Sequence, residues 1–229
     1  GIKVEVSNSA LNQYFTFQNI FTDDTLFKNI KLLPSGHHMS LSLEKNNLIK
    51  KKYWDFNFEE DTNIKSENEY IEELTYLLKQ SVNRQLLSDV EIGSYLSGGM
   101  DSGSITSIAS SQIDYLKTFT CGFDLSSASG LELAFDERKK AEFLSNRFKT
   151  EHYDIVLKAG DMERVMDKLT WHLEDPRVGQ SYPNYYVSKL ASKFVKVVLS
   201  GAGGDELFAG YPWRYYNSID PEGINEYVE

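Results

Sequence analysis

From residue 66 onward, short apolar runs alternate with stretches in which apolar residues recur every three or four positions. Ile71, Leu74, Leu78 and Val82 share one helical face, behind a Ser66–Glu69 pair that reads as a capping box. Val90 to Leu96 predicts a buried strand, and Ile105, Ile108 and Ala109 an apolar-faced helix after it. Leu116 to Cys121 predicts a second strand. Asp136 to Phe148 predicts a helix with Ala141, Leu144 and Phe148 on one side, and His152 to Leu157 a third strand. Met162, Val165, Met166, Leu169 and Leu173 have helical spacing. Pro183 suits the start of a further helix with Tyr186, Val187, Leu190, Ala191 and Phe194 inward, and Val195 to Leu199 is a fourth strand. Strands alternating with amphipathic helices imply an α/β domain, a parallel twisted sheet with helices on both faces.

Residues 1 to about 58 follow no such alternation. Ala10 to Ile20 predicts a short helix, and Leu32-Leu33-Pro34-Ser35-Gly36 a turn. Met39 to Leu43 alternates apolar with polar residues, and Leu48 to Phe56 can pair with it across Glu44 to Asn47 as a hairpin. This region is too small and too aromatic for a complete domain and reads as the tail of something larger. The expected division is 1–58 and 66–229.

At 229 residues the chain is long enough for a sizeable core. Its net charge of −10 argues against extended nucleic acid as a partner, because phosphate backbones are bound by clusters of Lys and Arg. Lys50-Lys51-Lys52 is a short run that reads as a solvated strand end. No apolar run reaches the roughly 18 residues needed to span a bilayer, so no membrane partner is expected. The one cysteine, Cys121, cannot form an internal disulfide, and the expected location is the cytoplasm.

The chemistry concentrates in two loops. Tyr95-Leu96-Ser97-Gly98-Gly99-Met100-Asp101-Ser102-Gly103-Ser104 joins a strand to a helix. Small residues there let backbone N–H groups approach phosphate oxygens, and a helix N-terminus adds favourable partial charge. The carboxylate of Asp101 repels phosphate unless a cation intervenes, so the loop points to Mg2+ together with a nucleotide. The second loop, Ser200-Gly201-Ala202-Gly203-Gly204-Asp205-Glu206, follows the fourth strand. It too opens with Ser-Gly and carries an aspartate. Ligands of such sheets bind at the carboxyl ends of the strands, where topology can bring the two loops side by side. Neither loop has the lysine of a GxxxxGK[ST] phosphate loop, and neither completes GxGxxG or GxSxG.

Ser97-Gly98-Gly99-Met100-Asp101-Ser102 resembles the SGGxDS signature of the PP-loop ATP pyrophosphatases, whose fold is the adenine nucleotide alpha hydrolase-like one. Leu199 to Tyr211 resembles the SGEGxDELFGGY block of the glutamine-dependent asparagine synthetases within that group. Lys31-Leu32-Leu33-Pro34-Ser35-Gly36-His37 with Tyr53-Trp54-Asp55 resembles the LPPGH…YWD end of their glutaminase domain. Asp136-Glu137 with Thr150-Glu151-His152 resembles their DE…TEH segment. These blocks occur in the family's order over nearly the whole chain.

The resemblance implies ATP-dependent amidation of a carboxylate through an acyl-adenylate, with release of AMP and pyrophosphate. The implied product is asparagine from aspartate, with ammonia drawn from glutamine by an N-terminal glutaminase domain. It further implies that Ser97, Gly98, Gly99 and Ser102 hold the departing pyrophosphate and that Asp101 and Asp205 share Mg2+ as the catalytic carboxylates. Backbone groups at Leu96 and Cys121 would then meet the adenine, with Ser200 and Gly201 lining the nucleotide from the other side. From the residues alone, Asp101 is either a metal ligand or a helix N-cap. Arg177 either pairs with an acceptor carboxylate or forms an ion pair with Glu174 or Asp175. Arg214, Trp213, Tyr215 and Tyr216 either line a cleft or pack.

Three departures accompany the resemblance. The family's glutaminase nucleophile is an N-terminal cysteine, whereas Gly1 stands here, so the chain is expected to be part of a longer protein. The segment that would carry a phosphate-contacting lysine is expected beyond Glu229. Ala202 occupies the place of the family's SGEG glutamate, and Glu174 to Ser181 is unusual where the family handles its acceptor. Another carboxylate, such as a sugar acid of surface polysaccharide synthesis, is the alternative acceptor. A nucleotide-binding module without turnover is the third reading. A truncated tail leaves apolar surface, for which a homodimer is the expected consequence.

Overall fold

The computed structural model describes residues 3–57, 59, 64–126, 136–174 and 181–211. The chain divides into two compact units, residues 1–66 with 165–181 and residues 67–164 with 182–229.

In the first unit, α1 (Asn8–Phe17) starts where Ser7 Oγ accepts the Ala10 N–H at 3.4 Å and ends at Gln18, whose φ of 53° is left-handed. It begins two residues before the predicted helix and stops three short of it. β1 (His37–Ser42) and β2 (Asn47–Lys52) form the expected antiparallel hairpin, in register from His37 opposite Lys52 to Ser42 opposite Asn47. The second strand stops at Lys52 rather than continuing to Phe56. The Tyr53 and Trp54 N–H groups instead donate to Gly36 O at 2.8 and 3.3 Å, drawing the chain onto the turn that precedes β1. Except for half-buried His37, both strands are exposed along their whole length, Lys50 to Lys52 included.

The chain continues through α2 (Glu67–Gln85), β3 (Ile92–Tyr95), α3 (Met100–Ser110), β4 (Lys117–Phe123), α4 (Arg138–Phe148), β5 (Glu151–Leu157), α5 (Asp161–Leu173), α6 (Ser181–Ala191), β6 (Val197–Leu199) and α7 (Gly204–Phe208). The four strands form one parallel sheet in the order β5-β4-β3-β6. β4 runs two residues past Cys121 because its pairing with β5 extends to Phe123 opposite Leu157. Strand order steps outward from β3 to β5 and then returns to β6 on the other side of β3. Right-handed crossovers in opposite directions put their helices on opposite faces.

The core confirms helices on both faces. On one, Val187 and Ala191 of α6 pack with Val195 and Phe119, joined by Tyr95, Cys121, Tyr153 and Phe194. On the other, Val82 of α2 and Ala109 of α3 pack with Leu116, joined by Leu78, Ile105 and Leu199. Alternation along the strands sorts the residues, with Phe119 and Cys121 turned to the first face. Ser94 is fully buried, and its hydroxyl meets that of Thr106 on α3 at 2.9 Å. The predicted apolar face of α2 is buried only toward its C-terminal end. Val82 is buried and Leu78 half-buried, whereas Ile71 and Leu74 are exposed. Among the described residues no helix is long and apolar enough to cross a membrane.

Candidate functional site

The loop after β3 is shaped by its own hydroxyls and by one left-handed glycine. Leu96, fully buried, extends the ladder by donating its N–H to Phe119 O at 2.9 Å. Gly98 has φ +84°, and a Cβ there would lie 2.4 Å from Lys140 Cβ and 3.1 Å from the Ala141 backbone nitrogen. Any side chain would therefore combine backbone strain with a collision against the first turn of α4. The Ser97 N–H donates to Ser102 Oγ at 3.2 Å, the two hydroxyls share a bond of 3.0 Å, and the Gly99 N–H donates to Ser97 Oγ at 3.3 Å. Gly99 is the N-cap of α3 and Asp101 lies in the helix's first turn, so the N-cap reading of Asp101 is overturned. Its side chain is left to act elsewhere.

The loop after β6 turns through Gly203, at φ +99°, into the short α7. Ser200 Oγ accepts the Ala202 N–H at 3.2 Å, and Gly201 O accepts the Gly204 N–H at 3.2 Å. Ala202 is exposed.

The two loops meet because β3 and β6 are neighbours, with Ser94 opposite Leu199. Their contact is closer than any pair of side-chain-bearing residues allows. A Cβ on Gly204 would lie 2.3 Å from Asp101 Cγ and 2.5 Å from each of its carboxylate oxygens. One on Gly201 would lie 2.7 Å from the Ser102 backbone nitrogen. The Asp101 carboxylate thus rests against the backbone of the second loop, one residue before Asp205.

That position sets its electrostatics. Loss of solvent, followed by the negative charges of Asp205 and Glu206, holds the Asp101 carboxyl above the usual carboxylate range. Like charges gathered at the mouth of a glycine loop favour a cation between them. Among the described residues, no group of three His, Cys, Asp or Glu side chains could hold a metal unaided. A pair of carboxylates nonetheless suits Mg2+, which keeps waters and takes substrate phosphate oxygens as its other ligands.

Cys121 lies one strand over, in β4, half-buried. Burial pushes its thiol up to about 12, so the side chain behaves as a small apolar group. Leu96, Ser97, Gly98, Gly99, Asp101, Ser102, Ser200, Gly201 and Asp205 all belong to the two loops at the carboxyl ends of β3 and β6. Arg177 and Asp175 lie outside the described residues, as do Trp213, Arg214, Tyr215 and Tyr216.

A family model described as asparagine synthase matches residues 73–223, two thirds of the chain and both loops. The chain belongs to the asparagine synthase family. A Methanocaldococcus jannaschii protein named for the glutamine-hydrolyzing asparagine synthetases is 34% identical over 91% of this chain and 39% of its own length. Asparagine synthetase (glutamine-hydrolyzing) 1 of Bacillus subtilis is 33% identical over 91% of this chain and 32% of its own. The chain therefore spans about a third of the length of the curated relatives it matches. The NMN synthetase of Francisella tularensis is similar over 65% of this chain and 59% of its own, at 19% identity and a TM-score of 0.39.

In this asparagine synthase family chain, one further side chain touches the first loop, and no motif had marked it as part of a site. Lys140 packs on Gly98. Burial holds the carboxyl of Glu137, just before α4, above the usual range, against the opposing effects of Lys140 and Ser97. The Asp136-Glu137 pair opens the segment that resembles the family's DE…TEH block, a resemblance that gave it no role at the site.

Proposed function

We propose that this chain carries the nucleotide site of an enzyme that amidates a carboxylate at the expense of ATP, through an acyl-adenylate, with release of AMP and pyrophosphate. The observation that carries the reading is the Asp101 carboxylate seated on Gly204, which unites two Ser-Gly loops a hundred residues apart at adjacent strand ends. Ser97, Gly98, Gly99 and Ser102 hold the pyrophosphate portion through backbone N–H groups and hydroxyls. The N-terminus of α3 adds favourable partial charge. Leu96 and Cys121 border the adenine, and Ser200 and Gly201 border the nucleotide from the other loop. Positioning and charge stabilisation account for most of such a step, since no side chain needs to exchange protons with the departing group.

Asp101 and Asp205 are the residues that would hold Mg2+, and the raised Asp101 carboxyl fits a site that a cation completes. When bound, the cation supplies neutralisation of the charge that builds on the leaving pyrophosphate.

The acceptor is aspartate and the product asparagine, in keeping with the names of the Bacillus subtilis relative and its family. Ammonia comes from a glutaminase domain of the longer protein. The decisive measurement is AMP, pyrophosphate and asparagine formation from ATP, Mg2+, aspartate and ammonia. Equimolar production of all three supports the reading, and pyrophosphate release without dependence on any acid would sink it. A second reading, another carboxylate such as a sugar acid, is favoured by Ala202, a small exposed residue on the second loop where the resemblance calls for glutamate. AMP formation with sugar acids but not with aspartate selects it.

A further inference from the structure

We propose that the first turn of α4 braces the two halves of the nucleotide site, with Arg138 the positioning residue that holds the adenine-bordering end of β4 at a fixed span from the phosphate loop. The proposal rests on the nucleotide reading of the two loops.

The end of β4 has strand support on one side only. β3 pairs with β4 as far as Phe119, where the Leu96 N–H donates to Phe119 O, whereas β5 pairs with β4 up to Phe123. Among the described residues, Thr120 to Phe123 therefore have strand partners on the β5 side alone. Cys121 belongs to this stretch. A second tie comes from α4. Arg138, its first residue, donates from Nη2 to Phe123 O at 2.8 Å. The same guanidinium donates from Nε to Asp136 Oδ1 at 2.8 Å and from Nη2 to Asp136 Oδ2 at 2.7 Å. Two bonds to one carboxylate fix the plane of the fork. The pair is shielded, with side-chain exposures of 26% for Arg138 and 11% for Asp136. Buried Gly122 makes room for it, since a Cβ there would lie 2.4 Å from Arg138 Nε and 2.5 Å from Asp136 Oδ1.

Two residues on, the same turn meets the phosphate loop. A Cβ on Gly98 would lie 2.4 Å from Lys140 Cβ and 3.1 Å from the Ala141 nitrogen. The Ala141 N–H donates to Glu137 O at 3.0 Å, and Ala141 is fully buried, so the turn is both closed and seated. Arg138 and Lys140 stand about 3 Å apart along the helix axis, joined by hydrogen-bonded backbone. The span from the end of β4 to Gly98 is thus set through α4, where the sheet ladder does not reach. ATP engages both places with one molecule, its adenine at β4 and its phosphates at the loop. A fragment that engages only one of them does not sense the span.

The test is isothermal titration calorimetry of the full chain with Mg2+-ATP, adenosine and Mg2+-pyrophosphate, with thermal unfolding as the control for folding. Arg138→Met is expected to weaken Mg2+-ATP about tenfold, a small share of the roughly 10²–10⁴-fold gain that joining two binding fragments gives, while adenosine and pyrophosphate each stay within about threefold of the native chain. Arg138→Lys keeps the charge and stem but not the fork that spans Asp136 and Phe123 O, so it is expected to behave as the methionine variant does. It also serves should that variant fail to fold. A general packing defect would weaken all three ligands together. If a folded variant binds Mg2+-ATP as the native chain does, or if adenosine or pyrophosphate weakens as much as ATP, the brace is wrong and the nucleotide site stands. If the native chain binds neither Mg2+-ATP nor pyrophosphate, the nucleotide reading itself falls, and the brace falls with it.

Discussion

The Asp101 carboxylate lies against the backbone of Gly204, so close that a Cβ there would stand 2.3 Å from Asp101 Cγ. A methyl group at residue 204 must displace either the carboxylate or the second loop. Gly204→Ala is therefore expected to lower the rate of pyrophosphate release about 100-fold, the scale set by roughly an ångström of misplacement. Thermal unfolding should change little, because neither loop belongs to the apolar core. Activity near the native level in Gly204→Ala would separate the contact from catalysis.

Asp101 also carries a stability signature. Its folded carboxyl titrates above the ordinary aspartate value of 3.8, so the folded chain binds this proton more readily than the unfolded chain does. The stabilisation is complete below about pH 3.8 and is lost as pH rises through the folded value. Asp101→Asn removes the charge that Asp205 and Glu206 oppose. In the absence of Mg2+, this variant should unfold at a higher temperature than the native chain at pH 7. The difference should shrink toward pH 4, and ATP-dependent activity should be lost. A lower midpoint at pH 7 would contradict the electrostatic account.

His152 points the opposite way. Its Nδ1 meets Thr118 Oγ1 at 2.9 Å, while its buried Nε2 has no hydrogen-bond partner. Burial pulls its pKa below the ordinary histidine value of 6.5, against the raising effects of Asp154 and Glu142. Its contribution to stability is full above pH 6.5 and is lost as pH falls through the folded value. Urea unfolding at pH 7.5 and pH 5 should show this loss in the native chain and a smaller one in His152→Gln, after allowance for the acidic groups common to both.

Phe119 is 1% exposed, with the Tyr153 and Phe194 rings each centred 5.8 Å away. Phe119→Ala removes the centre of one face of the core and is expected to cost about 3–5 kcal/mol in urea unfolding. A cost under about 1 kcal/mol would mean that the α6 face contributes little.

Cys121, with its thiol pushed up to about 12, should resist alkylation by iodoacetamide at pH 8 in the folded chain and react fully in urea. Cys121→Ala should keep ATP binding, because the proposed adenine contact runs through the backbone.

Much of this was legible in the order of residues. The period of apolar positions located the four strands of the parallel sheet and the helices α2 to α6, since burial on a helix or strand imposes a repeat that needs no knowledge of partners. Ends were less legible. β2 stops at Lys52 because Tyr53 and Trp54 bond to Gly36, and β4 extends to Phe123 because β5 offers partners that far. Neither cause is local. The exposed Ile71 and Leu74 make the same point, because helical spacing records an apolar face without stating what covers it.

The Ser-Gly loops and their aspartates were visible as chemistry in the chain itself, because small residues, hydroxyls and carboxylates carry their bonding capacity wherever they are placed. Which of them act together was decided by the fold. Strand order β5-β4-β3-β6 makes neighbours of residues a hundred apart and sets Asp101 on Gly204. The approach of α4 then brings Lys140 onto Gly98. Distances of that kind depend on how whole elements pack, and no local stretch of sequence encodes them.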